Sequence, residues 1–299
     1  QLDHAITEVR SRTDNPFGVN MRGDQSDVAE RIALLIRHRV KLASFAGAPS
    51  KEIIARLKGE GILTMPTVGA RRHAEKMAEW GVDALIAQGH EGGGHTGPIP
   101  TTILLPQVCA AVDLPVLGAG GFRDGRGLVA AMAFGAAGIA MGTRFLLTRE
   151  STVPDNVKAI YLKTDERGTV VTTAIDGAPQ RVIQTDLIRA IEHAGPLSRL
   201  LSAARHALAF QRSTGARIVD LLREARAMKR AQELTWAQVF MAANAPMMTK
   251  ASMVDGRPEV GILPTGQIAG AITDLPAVAD VLAAIEAEAL ATLARLGNA

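Results

Sequence analysis

The stretch Asp83-Ala-Leu-Ile-Ala-Gln-Gly-His-Glu-Gly-Gly-Gly-His-Thr-Gly97 joins a short apolar segment to a loop in which five of nine residues are glycine. Because glycine has no Cβ, the main chain of such a loop can approach a flat ligand closely and point amide groups at it. A flexible linker is the alternative, but apolar segments border the loop on both sides, at residues 83–87 and 101–105. We therefore predict a ligand-binding loop that places His95 beside the ligand.

Apolar segments of this kind recur along the first half of the chain. They begin near Phe17, Val40, Leu63, Ala84, Pro115 and Gly138, at intervals of 23, 23, 21, 31 and 23 residues. Helix-like stretches, such as residues 50–58 and 72–80, fill the intervals. This alternation predicts parallel strands covered by helices on both faces. The one long interval contains the glycine loop, and (β/α)8 barrels build their active sites after the carboxyl ends of strands.

Two further loops have the character of anion-binding sites. The segment that begins at Pro115 leads into Gly120-Gly121 and a helix start, and the segment at Gly138 leads into Gly142-Thr143. Free amides at a helix start attract an anion, and barrels frequently hold a phosphate after strands seven and eight. If these are strands seven and eight, the first two strands lie upstream of Gln1, in about 45 residues at the observed period. Tight turns without a ligand are the alternative.

The βα period is lost from about residue 154 to residue 264. A hairpin is predicted there, in which residues 169–175 turn at Asp176-Gly177 into residues 181–183. An amphipathic helix is predicted from residue 275 onward. The sequence therefore predicts an α/β protein with two domains. Residues 1–153 and 265–299 form a (β/α)8 TIM barrel, and residues 154–264 form a smaller inserted α+β lid over the substrate.

Three spaced motifs resemble those of a known family: Gln88-Gly-His-Glu-Gly-Gly-Gly-His95, Gly118-Ala-Gly-Gly-Phe-Arg-Asp-Gly125 and Met141-Gly-Thr-Arg-Phe-Leu146. In this order they are similar to the nitronate monooxygenase (2-nitropropane dioxygenase) superfamily of FMN-dependent TIM barrels. Pro16-Phe-Gly-Val-Asn20 and Thr265-Gly-Gln-Ile-Ala-Gly270 extend the resemblance over nearly the whole chain. The resemblance implies the barrel fold and FMN as the cofactor.

The resemblance also implies roles for individual residues. The FMN phosphate is expected on Gly120, Gly121, Gly142 and Thr143. The residues expected to face the isoalloxazine are Asn20, Gln88, Gly93 and Gly94. Thr67 stands where some members have a lysine near the flavin. His95 matches the catalytic base of nitronate-oxidising members, and an imidazole beside a flavin can transfer a proton near neutral pH.

Several activities occur in this superfamily, among them nitronate oxidation, quinone reduction and reduction of enoyl groups on acyl carrier protein. A sterol-degradation branch reduces a double bond in a hydroindene-carboxyl-CoA. The sequence looks most similar to that branch at residues 91–98, 168–173, 234–239 and 241–246. We therefore predict an NADH- or NADPH-dependent reductase of a conjugated double bond in a sterol-ring-derived acyl-CoA. The alternatives are oxidation of a nitroalkane or nitronate with oxygen, and binding of flavin or acyl-CoA without catalysis.

A basic segment offers a second argument for a CoA thioester. Between residues 199 and 230, eight basic residues accompany only two acidic ones. With helical spacing, Arg223 and Arg226 would present guanidinium groups to the phosphates of CoA. A solvated helix face is the alternative. Gln267, which precedes the final helix, is predicted to approach the mouth of the active site.

Composition favours a soluble, cytoplasmic enzyme with a small-molecule substrate. Of the 299 residues, 47% are apolar, and the apolar runs are too short to span a bilayer. The net charge of +3 and the aromatic content of 3% are low for a nucleic-acid surface. The single cysteine, Cys109, excludes an internal disulfide, and no His, Cys and carboxylate residues have metal-ligand spacing. A homodimer is one assembly that the sequence allows.

Overall fold

The computed structural model describes residues 1–23, 25, 27–193 and 236–298. The helices are Leu2–Arg12 (α1), Val28–Arg37 (α2), Lys51–Gly59 (α3), Arg71–Glu79 (α4), Thr101–Cys109 (α5), Gly125–Ala133 (α6), Thr143–Leu146 (α7), Asp155–Lys163 (α8), Asp186–His193 (α9), Trp236–Met253 (α10) and Val278–Gly297 (α11). A 3-10 helix spans Gln267–Ala271. The strands are Gly18–Met21 (β1), Leu42–Phe45 (β2), Leu63–Val68 (β3), Leu85–Gln88 (β4), Gly94–His95 (β5), Val116–Ala119 (β6), Gly138–Ala140 (β7), Thr169–Thr172 (β8) and Gln180–Ile183 (β9).

The described residues form two compact units, each with its own sheet. Unit 1 contains residues 1–90, 97–140 and 285–299, and unit 2 contains residues 91–96 and 141–284. The predicted division into a barrel and a covering lid, with boundaries after residues 153 and 264, stays a prediction.

Unit 1 is built on a six-stranded sheet in the order β1-β2-β3-β4-β6-β7. All neighbouring strands are parallel, with Gly18 opposite Leu42 and Leu85 opposite Val116. A helix follows each of the first five strands of this order before the next begins. The six predicted strands and the α/β barrel repeat are therefore confirmed. The two strands expected upstream of Gln1 stay a prediction.

The sheet and its helices are held together by apolar side chains that pack between them. Around β1 and β2, a buried cluster joins residues of both strands, of the three helices α1, α2 and α3 and of their connections: Ile6, Met21, Ile32, Leu35, Val40, Ala43, Phe45, Leu57 and Ile62. Helix α3 is capped by the Ser50 hydroxyl, which accepts a hydrogen bond from the Ile53 amide. Burial of each large side chain stabilises such a unit by about 1.5–3 kcal/mol.

The three-stranded sheet of unit 2 has the order β5-β9-β8. The predicted hairpin is confirmed as β8 and β9, which pair antiparallel with Thr169 opposite Ile183 and Thr172 opposite Gln180. The sequence did not predict the third strand, β5, which is the two-residue segment that contains His95. Its shortness explains the omission, because two residues show no alternating pattern.

The predicted C-terminal helix is confirmed as α11. Within unit 1, its Glu288 carboxylate accepts a hydrogen bond of 2.9 Å from the Gly125 amide at the start of α6. The backbones approach so closely that a Cβ at Gly125 would overlap the Ile285 carbonyl oxygen and the Ala289 nitrogen. Along the described ranges, no helix combines the length and the apolar character needed to cross a membrane.

Candidate active site

Unit 1 brings three predicted flavin residues to one edge of its sheet. Asn20 lies near the carboxyl end of β1, Thr67 near that of β3, and Gln88 ends β4. The carboxyl ends of parallel strands lie at the same edge, where ligands of α/β proteins bind. The Asn20 amide oxygen accepts a 3.0 Å hydrogen bond from the Ser44 hydroxyl on the neighbouring strand. This bond fixes the orientation of the Asn20 side chain.

The turn Gly120-Gly121 follows β6 at the same edge. Both residues have positive φ, +94° and +83°, which side chains other than glycine rarely adopt. The Thr101 hydroxyl donates a 3.0 Å hydrogen bond to the Gly120 carbonyl oxygen and so stabilises the turn. Two successive glycines with positive φ make a tight turn whose backbone can come close to an anion.

The helix that follows this turn does not offer free amides at its start, contrary to the prediction. The Gly125 amide donates to the Glu288 carboxylate, and the Gly127 amide donates to the Asp124 carboxylate at 2.9 Å. Two negative groups therefore already occupy the positive end of the α6 dipole. An anion beside this loop would depend on the amides of Gly120 and Gly121 rather than on the helix end.

Unit 2 contains the second predicted phosphate loop, Gly142-Thr143. Gly142 has an ordinary φ of −83°, and an added Cβ would meet no described atom within 4 Å. The Thr143 side chain is buried, and its hydroxyl oxygen accepts a 3.0 Å hydrogen bond from the Gly266 amide. A hydroxyl that accepts one bond retains its own hydrogen, so Thr143 can still donate to a phosphate oxygen.

The glycine loop of unit 2 packs tightly on the segment Thr265-Gly266-Gln267. A Cβ on Gly93 would overlap the carbonyl carbon of Thr265 and lie 2.5 Å from the Gly266 nitrogen. The backbone amide of Gln267 donates a 2.9 Å hydrogen bond to the backbone carbonyl oxygen of Glu91. The structure thus places Gln267 beside the glycine loop, and its approach to the mouth of the active site stays a prediction.

His95 lies on β5 and is held by the β8–β9 hairpin. It stands opposite Gln180 of β9, and the Thr96 amide donates to the Pro179 carbonyl oxygen at 3.1 Å. The His95 ring nitrogen Nε2 is 2.7 Å from Oδ2 of Asp176, in the loop of the hairpin. The His95 side chain is 49% exposed and that of Asp176 only 14%. A half-exposed imidazole is thus anchored by a nearly buried carboxylate.

The ionisation of Asp176 fits this pairing. Burial alone would raise the pKa of Asp176, but the hydrogen bond and charge of His95 lower it. The Ala178 amide and the Gln180 side chain lower it further, and the pKa of Asp176 falls below its ordinary value. Asp176 is therefore a carboxylate at neutral pH and favours a proton on the Nε2 side of His95.

Asp176 is the residue of this site that the sequence analysis missed. It was interpreted only as half of the Asp176-Gly177 turn signal. Its distance of 81 positions from His95 left no local pattern that would join the two. The one available hint was the predicted hairpin itself, since a hairpin loop carries its polar residues to the end of a sheet.

Two predicted substrate residues cannot be placed. Arg223 and Arg226 lie outside the described residues. Among the residues that are described, no group of three or more His, Cys, Asp or Glu side chains could hold a metal ion.

Each unit, taken by itself, contains glycines suited to contact with a flavin mononucleotide. Gly142 is a glycine that neither its own backbone conformation nor its neighbours require, so the open space beside it is available to a ligand. The same absence of neighbours holds at Gly94, beside His95. In unit 1, the successive positive φ values of Gly120 and Gly121 form a turn of the kind that can bind an anion.

Comparisons with known proteins agree with this chemistry. A family model described as "Nitronate monooxygenase" matches residues 25–288. A protein of Rhodococcus jostii, named (3aS,4S,5R,7aS)-5-hydroxy-7a-methyl-1-oxo-octahydro-1H-indene-4-carboxyl-CoA dehydrogenase, is 52% identical over 297 residues, which cover 99% of this chain and 84% of that protein. A protein of the same name from Mycobacterium tuberculosis is 50% identical over 296 residues, covering 98% and 83%.

The solved structures give the same result for the fold. FabK from Thermotoga maritima is similar with a TM-score of 0.79 and 30% identity, over 99% of this chain and 83% of that one. The family model matches most of the chain, and relatives with 50–52% sequence identity align with nearly all of it. The chain therefore belongs to the nitronate monooxygenase family, a family of flavin-dependent oxidoreductases.

Proposed function

We propose that this enzyme transfers hydrogen at the Cα–Cβ bond of a bicyclic, sterol-ring-derived acyl-CoA with FMN as its cofactor. The observation that carries the proposal is the His95–Asp176 pair, a proton-transfer group with its own carboxylate partner. The name of the Rhodococcus relative, a dehydrogenase of a hydroindane carboxyl-CoA, supports the choice of substrate.

The cofactor residues that we propose are those expected from the resemblance. The phosphate is assigned to Gly120, Gly121, Gly142 and Thr143. The isoalloxazine is assigned to Asn20, Thr67, Gln88, Gly93 and Gly94. When bound, FMN supplies the two-electron chemistry, since it exchanges a hydride with carbon. The protein supplies the orientation of the substrate and the proton.

His95 performs the proton transfer in this proposal. A thioester carbonyl makes the hydrogen on its Cα acidic, because the negative charge that develops is shared with the thioester oxygen. His95 removes that proton when the bond is dehydrogenated and returns it when the double bond is reduced. The hydride leaves or enters at Cβ. One residue thus serves both directions, as microscopic reversibility requires.

The direction of the reaction depends on which redox partner exchanges electrons with the flavin. The sequence predicts reduction, with NADH or NADPH as the electron donor, whereas the name of the half-identical relative describes dehydrogenation. We propose dehydrogenation as the working direction, because that relative covers nearly the whole chain, and NAD⁺ or NADP⁺ is the proposed acceptor of the two electrons that the flavin takes up. Reduction by NADH or NADPH is then the reverse reaction of the same site.

Anaerobic mixing tests the proposal. The flavin-loaded protein is mixed with the saturated hydroindane-carboxyl-CoA named above, and the absorbance of oxidised flavin is followed. We expect the absorbance to decrease in the wild type and to decrease at least about 100-fold more slowly in His95→Gln. Equal FMN affinity in both proteins is the control. No absorbance change with the thioester, with NADH or with NADPH would refute the proposal.

Nitronate oxidation is the second candidate, because the matching family is named for it and His95 can serve it equally. Propyl-2-nitronate in the same experiment separates the two activities. Bleaching by the nitronate without bleaching by the thioester would favour the second candidate. Tight FMN or acyl-CoA binding with no bleaching by any donor would favour a protein that binds without catalysis.

A further inference from the structure

The loop that holds Asp176 is fixed by contacts that do not involve His95. The Ala174 amide donates to the Thr172 hydroxyl at 3.2 Å, and the Gly177 amide donates to the Thr173 carbonyl oxygen at 2.9 Å. The side chain of Ile175, next to Asp176, is fully buried in the apolar cluster of Val182, Ile188, Met248 and Ile262. Asp176 is therefore delivered to His95 by a preformed loop.

The two carboxylate oxygens of Asp176 have separate tasks. Oδ1 accepts a 3.1 Å hydrogen bond from the Ala178 amide, and Oδ2 lies 2.7 Å from Nε2 of His95. The backbone bond to Oδ1 prevents the carboxylate from rotating freely. Oδ2 is thereby aimed at one ring nitrogen of His95 and not at the other.

Because a carboxylate only accepts hydrogen bonds, it favours the histidine tautomer whose proton is on the nitrogen that faces it. We propose that Asp176 is the positioning residue of His95, which fixes the Nε2–H tautomer and leaves Nδ1 as the basic nitrogen of the neutral ring. This inference rests on the proposed function of His95 for its catalytic meaning, but the tautomer itself does not depend on any substrate.

The substitution Asp176→Asn makes a sharp test. Asparagine keeps the size of the side chain, and its oxygen can still accept from the Ala178 amide. The amide NH2 group then takes the position of Oδ2 and faces Nε2 of His95. Since that group only donates, the ring must accept at Nε2 and carry its proton on Nδ1. The fold is retained while the tautomer is inverted.

The first measurement is ring ¹⁵N NMR of the FMN-loaded protein with labelled histidine, at a pH of about 9, above the ordinary range of histidine titration. His95→Gln identifies the His95 signals by their loss. We expect the Nε2–H form in the wild type and the Nδ1–H form in Asp176→Asn. The same tautomer in both proteins would overturn the inference, whatever the substrate proves to be.

The second measurement is the rate of thioester-dependent flavin reduction. Asp176→Asn should lower the rate constant about 10²- to 10⁴-fold, the range for loss of acid–base catalysis or a wrong tautomer, with unchanged FMN affinity. Thr172→Val is the matched control: it removes the hydroxyl contact to Ala174 but leaves the carboxylate, and its rate should stay within about twofold of the wild type. An inverted tautomer with an unchanged rate would overturn the positioning role.

The two proposals can fail separately. If the tautomer inverts as expected but no protein reacts with the thioester, with NADH or with NADPH, the proposed function is wrong and the assignment of Asp176 to His95 stands. If Thr172→Val loses as much activity as Asp176→Asn, the hairpin acts only through its rigidity and the inference is refuted.

Discussion

Substitution of Gly93 by alanine tests the packing of the glycine loop. The added Cβ would overlap the carbonyl carbon of Thr265 and lie 2.5 Å from the Gly266 nitrogen and 2.9 Å from the Thr265 Cα. Ordinary contacts of this kind are about 3.5–4.0 Å, so two backbone segments must separate by about 1 Å. All three obstructing atoms belong to the backbone, which cannot rotate away as a side chain could.

The cost can be estimated from two contributions. Forcing an extra methyl group into a packed site costs about 1–3 kcal/mol. The separation also strains the hydrogen bond from the Gln267 amide to the Glu91 carbonyl oxygen, whose loss costs about 1 kcal/mol. We therefore expect Gly93→Ala to lower the free energy of unfolding by about 2–4 kcal/mol. The midpoint of thermal unfolding should fall by roughly 5–10 °C.

Differential scanning calorimetry of the flavin-free protein measures this effect without any contribution from cofactor binding. Gly142→Ala is the matched control. Its Cβ would meet no described atom and its φ is −83°, so its stability should stay within about 0.5 kcal/mol of the wild type. Gly142→Ala should instead weaken FMN binding. The reasoning would be refuted if Gly93→Ala unfolded at the same temperature as the wild type, or if Gly142→Ala unfolded at a lower temperature.

Three further predictions follow from buried polar contacts. Tyr161 is fully buried, and its hydroxyl donates a hydrogen bond of 2.8 Å to the Pro264 carbonyl oxygen. Tyr161→Phe removes this bond and should lower the free energy of unfolding, measured in urea, by about 1–3 kcal/mol. A decrease below the error of the method would contradict this role. Glu288→Gln weakens the charged cap on the Gly125 amide and the ion pair with Arg126, and should lower stability by about 0.5–2 kcal/mol at low salt, with a smaller difference in 1 M salt because both interactions are screened. Because the pKa of Asp176 is lowered in the folded state, its charge stabilises the protein above its unfolded pKa of about 4, and this stabilisation is lost as the pH falls through the folded value. The difference in unfolding free energy between wild type and Asp176→Asn should therefore be constant near neutral pH and shrink below about pH 4, and a difference that grows on acidification would show the opposite shift.

Local patterns were sufficient for the secondary structure of unit 1. Each apolar segment that begins near Phe17, Val40, Leu63 or Ala84 became a strand, because a βα repeat places the pattern of each element inside a single short window. The hairpin of β8 and β9 was predictable for the same reason: its strands and its turn are contiguous in the chain. Strand β5 was not, since two residues become a strand only when a partner is already in place.

The candidate site divides along the same line. The glycine loop, the turn Gly120-Gly121 and His95 were found in the sequence, because residue type alone reveals backbone that can adopt positive φ and a side chain that titrates near neutral pH. The amides at the start of α6 were predicted to be free and are not. The Gly127 amide is bonded locally to Asp124, but the partner of the Gly125 amide, Glu288, lies 163 positions away, and no local pattern reports such a contact.

The sequence by itself determined the βα repeat, the positions of the strand-end loops and the choice of His95 as the candidate proton-transfer residue, because periodicity and residue chemistry are local properties. Only the tertiary structure decided which groups stand opposite one another. Asp176 faces His95 because β9 pairs with β5, and Gly93 can only be glycine because Thr265 and Gly266 pass against it. Contacts between distant segments depend on how the whole chain packs, and this packing cannot be predicted from any short stretch of residues.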